Sequence, residues 1–278
     1  MTPRFSIITT CKGRLENLKR ALPGFLNQDD TEIVVVDYDC PDGTADYVTA
    51  HYPDIRVVSV SGQPLFNTAH ARNLGAAQAR GEFLVFLDAD VVIADNFMRY
   101  VGDRLQERAF ALFGAAAGNQ LRGSCVVWRR DFEALEGYDE LLGGYEGEDL
   151  ELYARLRLSG ARQLVLDPAI VREVIGQTEA ERLRFRMPDL KLQFLRGQLY
   201  SMAKEMAMKM LGTTTLDPAV RHSLLEQVNR DLPALYHGDR EFTLEIRFPD
   251  RYRRGLLQEW EFSHSVTLRA RRKQPRQD

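Results

Sequence analysis

The chain has 278 residues, with 37 Lys and Arg against 40 Asp and Glu. The net charge of −3 excludes the broad basic field of a nucleic-acid binder, and 44% hydrophobic with 28% charged residues is the balance of a globular protein. Three cysteines, Cys11, Cys40 and Cys125, without a CxxC, predict a reduced, cytoplasmic protein, and no stretch of about 18 apolar residues predicts a membrane span.

In chain order, "RFSIITTC" is a β-branched run that predicts a buried strand. "RLENLKRALPGFLNQ" follows at helical spacing, then a second apolar strand in "EIVVVDYD". "GTADYVTAHY" predicts a helix, "IRVVSVS" a third strand, and "NTAHARNLGAAQAR" a helix capped by Asn67 or Thr68. "EFLVFLDAD" is the fourth strand. Apolar strands alternating with helices predict a parallel sheet covered on both faces, with ligands at the strands' carboxyl ends. Three strands end in polar residues there: Thr9-Thr10-Cys11-Lys12, Asp37-Tyr38-Asp39 and Asp88-Ala89-Asp90.

Further on, "SCVVWRR" predicts a strand. A turn from Gly143 to Gly147 leads into the helix "EDLELYARLRLSG". That helix has Glu148 and Asp149 at its N-terminus, where the dipole favours carboxylate anions by about 0.3–1 kcal/mol. Beyond Pro188 come a Met-rich amphipathic helix, a second helix opened by Asp217 and Pro218, and two alternating segments, "REFTLEIRF" and "EWEFSHSVTLRARR", that predict a hairpin. Arg269, Arg271, Arg272, Lys273 and Arg276 form a basic tail.

Two Asp-x-Asp pairs thus follow buried strands. A divalent cation held against a diphosphate takes hard oxygen ligands, which either pair supplies. "DYDCPDGT" also fits the haloacid dehalogenase phosphatase motif, with Asp37 as nucleophile and Asp39 as acid/base. That fold places the motif on its first strand, whereas "FSIITTC" precedes it here.

Four segments in order resemble the GT-A glycosyltransferases, an inverting group that includes chondroitin-polymerase-like and galactosyltransferase-like enzymes. They are "FSIITTCKGRLENLKRALPGFL", "VVVDYDCPDGTADYV", "HARNLGAAQARGEFLVFLDAD" and "GSCVVWRRDFEALEGYDELLGGYEGED". The resemblance implies an α/β, GT-A (Rossmann-like), mostly parallel sheet with helices on both faces, in residues 1–185. A C-terminal helical and β-hairpin extension would fill 186–278, with a lid, dimer or acceptor role left open. The implied function is transfer of a sugar from a nucleotide diphosphate donor to an acceptor hydroxyl. Asp88 and Asp90 would hold Mn2+ or Mg2+. Thr9, Thr10, Lys12, Arg14, Asp37, Asp39, Arg72, Asn73, Asp88 and Ala89 would line the donor site.

A carboxylate at Asp37 or Asp39 accepts from the uracil N–H but cannot pair cytosine's unprotonated nitrogen, which points to a UDP-sugar. The resemblance makes Asp149 the general base with Glu148 beside it. It gives the acceptor Trp128, Tyr145 and Gly147, and leaves glycan, lipid-linked, peptide and small-molecule acceptors open. The plainer readings are helix capping for Glu148 and Asp149, an ion pair for Arg72, core filling for Trp128, a pocket wall for His70, and small buried residues for Cys11 and Cys125. Relatives place a metal-binding histidine shortly after the Glu-Asp helix, but no histidine lies between His70 and His222. Glu173 or Gln177 would substitute with oxygen; His222, His237, His264 or water are the other candidates. A non-catalytic sugar-nucleotide-binding module on the same fold is the alternative of a different class. The basic tail offers a weak peripheral contact to an anionic inner membrane face, or the C-terminal region a homodimer.

Overall fold

The computed structural model describes residues 2–114, 117–144, 146–237, 241–248 and 264–271. Tyr145, Arg272, Lys273 and Arg276 lie outside the described residues. The elements are β1 (Phe5–Cys11), α1 (Leu15–Leu26), β2 (Thr31–Tyr38), α2 (Thr44–His51), β3 (Arg56–Val60), α3 (Thr68–Gln78), β4 (Phe83–Phe86), β5 (Val91–Ile93), α4 (Phe97–Gly102), β6 (Ala109–Phe113), β7 (Cys125–Trp128), α5 (Arg129–Ala134), α6 (Glu148–Leu158), β8 (Arg162–Leu166), β9 (Val171–Val174), α7 (Glu179–Leu183), α8 (Leu190–Leu211), α9 (Pro218–His237), β10 (Glu241–Phe248) and β11 (His264–Arg271). They form two compact units: residues 1–144 with 148–188, and residues 145–147 with 189–278.

The first unit is built on a seven-stranded sheet of order β3-β2-β1-β4-β7-β6-β8. Six strands run parallel and β7 alone is reversed, pairing antiparallel with both β4 and β6. The period-2 alternation of the strands divides the core in two. Ile7, Val35 and Val85 face Leu18, Leu22 and Phe25 of α1. Ile8, Val34 and Leu84 face the opposite layer, with Ala69 and Ala76 of α3 and Leu152 and Leu156 of α6. Helices therefore cover both faces, as the apolar strands predict. Asn67 caps α3, its side-chain oxygen accepting from the His70 N–H at 3.0 Å. A separate antiparallel pair, β5 with β9, sets Val91 against Val174 and lays the chain after β9 beside Asp90. Ile175 N–H donates to the Asp90 carbonyl at 2.8 Å.

α6 is held by its own buried ion pair. Glu151 accepts from Arg155, four residues on, at 2.6 Å, with both side chains almost wholly buried. The same guanidinium donates to the carbonyls of Leu135 and Gly137. A buried guanidinium needs all of its donors met, so Arg155 fixes α6 to the turn after α5.

In the second unit, α8 begins at Asp189, whose carboxylate accepts from the Leu192 N–H, and ends at the left-handed Gly212. Met202, Met206 and Met210 are exposed while Ala203, Ala207 and Met208 are buried, which is the predicted amphipathic pattern. β10 and β11 pair antiparallel as the predicted hairpin. Among the described residues no helix is long and apolar enough to cross a membrane. The buried carboxylate of Glu146 accepts from Arg196 of α8 at 2.5 and 2.8 Å. Beside it, a Cβ on Gly197 would stand 2.0 Å from the Glu146 carbonyl oxygen. Only glycine permits that approach, so Gly197→Ala is expected to cost about 1–3 kcal/mol through forced displacement. Chemical denaturation of the full chain checks this; a substituted chain as stable as the parent would show that Glu146 does not lie against α8.

Candidate active site

The carboxyl ends of β1, β2 and β4 lie side by side, since β1 pairs with both neighbours and Cys11 stands opposite Asp37. At β2 the two aspartates differ. Asp37 is buried, and its two carboxylate oxygens accept the N–H groups of Cys40 and Ala45, each at 2.7 Å. A carboxylate so engaged shapes a turn. Both Asp37 oxygens thus serve the turn that carries Cys40 and Ala45. Asp39 adopts φ +53°, accepts the Gln63 N–H at 2.9 Å, and leaves its side chain 40% exposed. Of the two, Asp39 is the carboxylate open to a ligand.

Lys12 is buried, and its ammonium donates to the carbonyls of Tyr38, Asp39 and Gln63 at 3.1, 2.8 and 2.7 Å. It also sits 4.9 Å from the centre of the Phe185 ring. Three carbonyls saturate an ammonium's three donors. Lys12, expected to line the donor site, therefore spends its ammonium on clasping the loops after β2 and β3. His70 pairs with the buried Tyr38 hydroxyl at 2.8 Å, as part of the wall. Thr10 is buried beside it in sequence, and Thr9 is fully buried with no hydrogen-bond partner among the described residues.

After β4, Ala89 is buried in the core between Asp88 and Asp90. Asp90 accepts from Arg14 at 3.3 Å and from the Gln177 amide. Glu173, the other candidate oxygen, points elsewhere: it forms a two-fold contact with Arg20 at 2.7 Å, largely exposed. Among the described residues, no three His, Cys, Asp or Glu side chains cluster closely enough to hold a metal alone. Two carboxylates and an amide are nevertheless a set of hard oxygens that fits Mg2+ or Mn2+, which leave room for phosphate oxygens and water. The Gln177 amide presents oxygen in place of nitrogen by a simple flip. Of the remaining candidates, His222 contacts the Pro218 carbonyl of its own helix at 2.7 Å. The His237 and His264 side chains lie outside the described ones.

Arg72 joins this end to α6. Its guanidinium is 5% exposed, donates to Asp88 at 3.0 Å and to Glu148 at 3.2 Å, and lies 5.3 Å from the centre of the Tyr138 ring. Burial opposes its charge, but Tyr138, Asp88 and Glu148 together hold it protonated. Burial pushes the Glu148 carboxyl up to about 7, helped by the neighbouring Asp149 charge and opposed by Arg72. Burial likewise raises Asp149, against Arg72 and the Leu150 N–H that its carboxylate accepts at 2.8 Å. The helix dipole alone predicts fully ionised groups here; desolvation outweighs it. Asn73 is engaged otherwise: its amide exchanges hydrogen bonds with the Tyr138 backbone at 2.9 Å and donates to Glu140 at 2.8 Å, steadying the turn under Arg72.

Trp128 is a correction. Because β7 runs against β4, Trp128 pairs with Phe83 at the far end of the sheet from Asp88. Its indole N–H donates to the Gln106 carbonyl at 3.1 Å, and its ring packs edge-on against Phe83. The start of β7 faces the site instead. A Cβ at Gly123 would meet Arg72 at 2.6 Å and Asp88 at 3.2 Å, and the next residue, Ser124, has a fully buried hydroxyl without a partner among the described residues. Neither residue carries a motif; the strand's direction would have revealed them. Gly147 takes φ +79° and leads the chain directly into Glu148.

Residues 6–132 match the family described as Glycosyl transferase family 2. Over 198 residues the chain is 26% identical to the succinoglycan biosynthesis protein ExoO of Rhizobium meliloti (strain 1021), covering 70% of this chain and 50% of that protein. The chain thus spans half the length of this curated relative. S. aureus TarS 1–349, solved in complex with UDP-GlcNAc, is similar with a TM-score of 0.58 at 17% identity, over 83% of this chain and 73% of that one. Mannosyltransferase PcManGT from Pyrobaculum calidifontis, solved with GDP-Man and Mn2+, is similar with a TM-score of 0.55 at 17% identity, over 84% and 70%. Residues 6–132 thus carry the match to glycosyltransferase family 2, and the mostly parallel α/β sheet they belong to is of the GT-A type.

Proposed function

We propose that this chain transfers a sugar from a nucleotide diphosphate donor to an acceptor hydroxyl, with inversion at the anomeric carbon and Asp149 as general base. The observation that most supports this reading is the buried Arg72 guanidinium, which ties Asp88 after β4 to Glu148 beside Asp149. One charged side chain would thereby tie the donor end of this reading to its acceptor end. Residues 1–185 carry these groups as the catalytic domain, and residues 186–278 are its extension.

Asp39, half open and held by Gln63, would accept from the N–H of uracil, which makes a UDP-sugar the first donor to try. Asp88, Asp90 and Gln177 would hold Mg2+ or Mn2+, which when bound neutralises charge on the departing diphosphate. Asp149 takes the acceptor proton as the hydroxyl attacks, and Glu148 orients sugar hydroxyls beside it. Arg72 keeps Glu148 and Asp88 in place. The mechanism needs the base ionised, and both carboxyls titrate above their ordinary range, Glu148 at about 7. Transfer should therefore rise as pH increases from about 5 to 8, following the pair and not either residue alone.

The purified chain, Mn2+ and UDP-sugars, screened against glycan, lipid-linked, peptide and small-molecule acceptors, should release UDP and form a glycoside of inverted configuration. Asp149→Asn should bind UDP-sugar nearly as the parent does and transfer at least about a hundredfold more slowly. Failure of every nucleotide sugar to bind or turn over overturns the proposal, and full transfer by Asp149→Asn reassigns the base. For the cation, calorimetry of Mn2+ in the presence of UDP should show about tenfold weaker binding for Gln177→Ala. Glu173→Gln, whose side chain is paired with Arg20, should leave it unchanged. Equal affinity for both substituted chains would remove Gln177 from the cation's ligands.

A further inference from the structure

Cys40 follows Asp39 in the turn after β2, and Cys11 closes β1 next to it. Far apart in sequence, the two sulfurs flank one side chain in the fold, both lying within hydrogen-bond reach of the Thr44 hydroxyl. The Cys40 sulfur also accepts from the Gly13 N–H at 3.1 Å and the Thr44 hydroxyl at 3.1 Å, and that hydroxyl stands 3.2 Å from the Cys11 sulfur. Cys11 is fully buried, whereas Cys40 is partly open. From this geometry we propose that Cys40 is a site of oxidative modification, a nucleophilic thiolate that reacts with a hydroperoxide and is then captured by Cys11 as a disulfide. The inference rests on the packing of the turn and is independent of the donor assigned above.

The charge pattern supports a shared proton. The Cys11 thiol, Thr44 and the N–H groups of Asp42 and Gly13 hold the Cys40 thiol down, to about 5, against burial. The Cys11 thiol is pushed up, first by Cys40 and then by burial. Around the pair stand Asp37, which accepts the Cys40 N–H, and Asp42, which accepts the Leu15 N–H at 3.4 Å. Lys12 lies on the nearby Tyr38 and Asp39 carbonyls, and the Arg14 backbone faces the Cys11 sulfur. Cys40 therefore supplies the thiolate and Cys11 the proton. In the first step the Cys40 sulfur attacks one peroxide oxygen; the S–O bond forms, the O–O bond breaks, and the leaving oxygen takes a proton from solvent and departs as water or alcohol. In the second, the Cys11 sulfur attacks the Cys40 sulfenic acid, the S–S bond forms, the S–O bond breaks, and water leaves with the Cys11 proton. Two thiols lose two electrons and one hydroperoxide gains them.

Iodoacetamide labelling of the full chain, followed by peptide mass spectrometry across pH, tests this. Cys40 should label at a rate that varies by less than about threefold from pH 6.5 to 9, whereas an ordinary thiol with pKa near 8.5 rises roughly 75-fold. Cys125, buried and pushed up to about 11, serves as the unreactive internal reference. After hydrogen peroxide, non-reducing digestion should yield a Cys11–Cys40 cross-linked peptide that dithiothreitol releases. Cys11→Ser should stop at a Cys40 sulfenic acid trapped by dimedone. An ordinary pH profile at Cys40, or peroxide treatment that leaves the two peptides unlinked, overturns the proposal.

Discussion

Everything at this site hangs on a guanidinium out of water. Arg72 points from α3 into the sheet's upper edge, where Asp88 and Glu148 meet it from different elements. A buried charge is tolerable only when its partners are all present, and removing one member of such a set typically costs about 3–5 kcal/mol. Three segments distant in sequence are therefore locked together: α3, the end of β4, and the start of α6. Tyr138 beneath the guanidinium and Asn73 bonded to Tyr138 extend the same lock into the turn after α5. Arg155 then binds that turn back to α6. Asp88, Glu148 and Glu151 gain their orientation from the buried guanidinium groups of Arg72 and Arg155.

The same division explains the acidic pairs. Four carboxylates end the two strands that flank β1, yet they do four different things. Asp37 is consumed by its own turn, Asp39 is lifted outward by a left-handed backbone, Asp88 is paired with Arg72, and Asp90 meets Arg14 and Gln177. Lys12 is the hidden counterpart: its ammonium draws three carbonyls from two loops together and so holds Asp39 where it is. A motif lists residue types, but backbone donors within reach decide which of them remain available to a ligand.

That distinction measures what was legible beforehand. The strands through Phe86 and the Asp88–Asp90 turn were readable because runs such as "SIITTC" and "IVVVDY" are apolar throughout, as double-sided burial demands. Hidden were β5, β6, β8 and β9, strands of three to five residues whose patterns are too short to announce themselves. The reversed direction of β7 was equally invisible; it moves Trp128 to the wrong end of the sheet and brings Gly123 and Ser124 to the right one. Pairing between β5 and β9 explains how Gln177, with no motif of its own, reaches Asp90 from 87 residues away. Nor does sequence spacing reveal that Cys11 and Cys40 meet, since only the parallel register of β1 and β2 brings them together.

The account turns on whether Asp88 and Asp90 bind a cation together with a nucleotide diphosphate. Electron paramagnetic resonance of Mn2+ with the intact chain and UDP asks this directly. The signal of the hydrated ion should disappear when chain and UDP are both present, and should persist when Asp90→Asn replaces the parent. An Mn2+ signal lost equally with parent and Asp90→Asn chains, or UDP that binds without perturbing the ion at all, would contradict it.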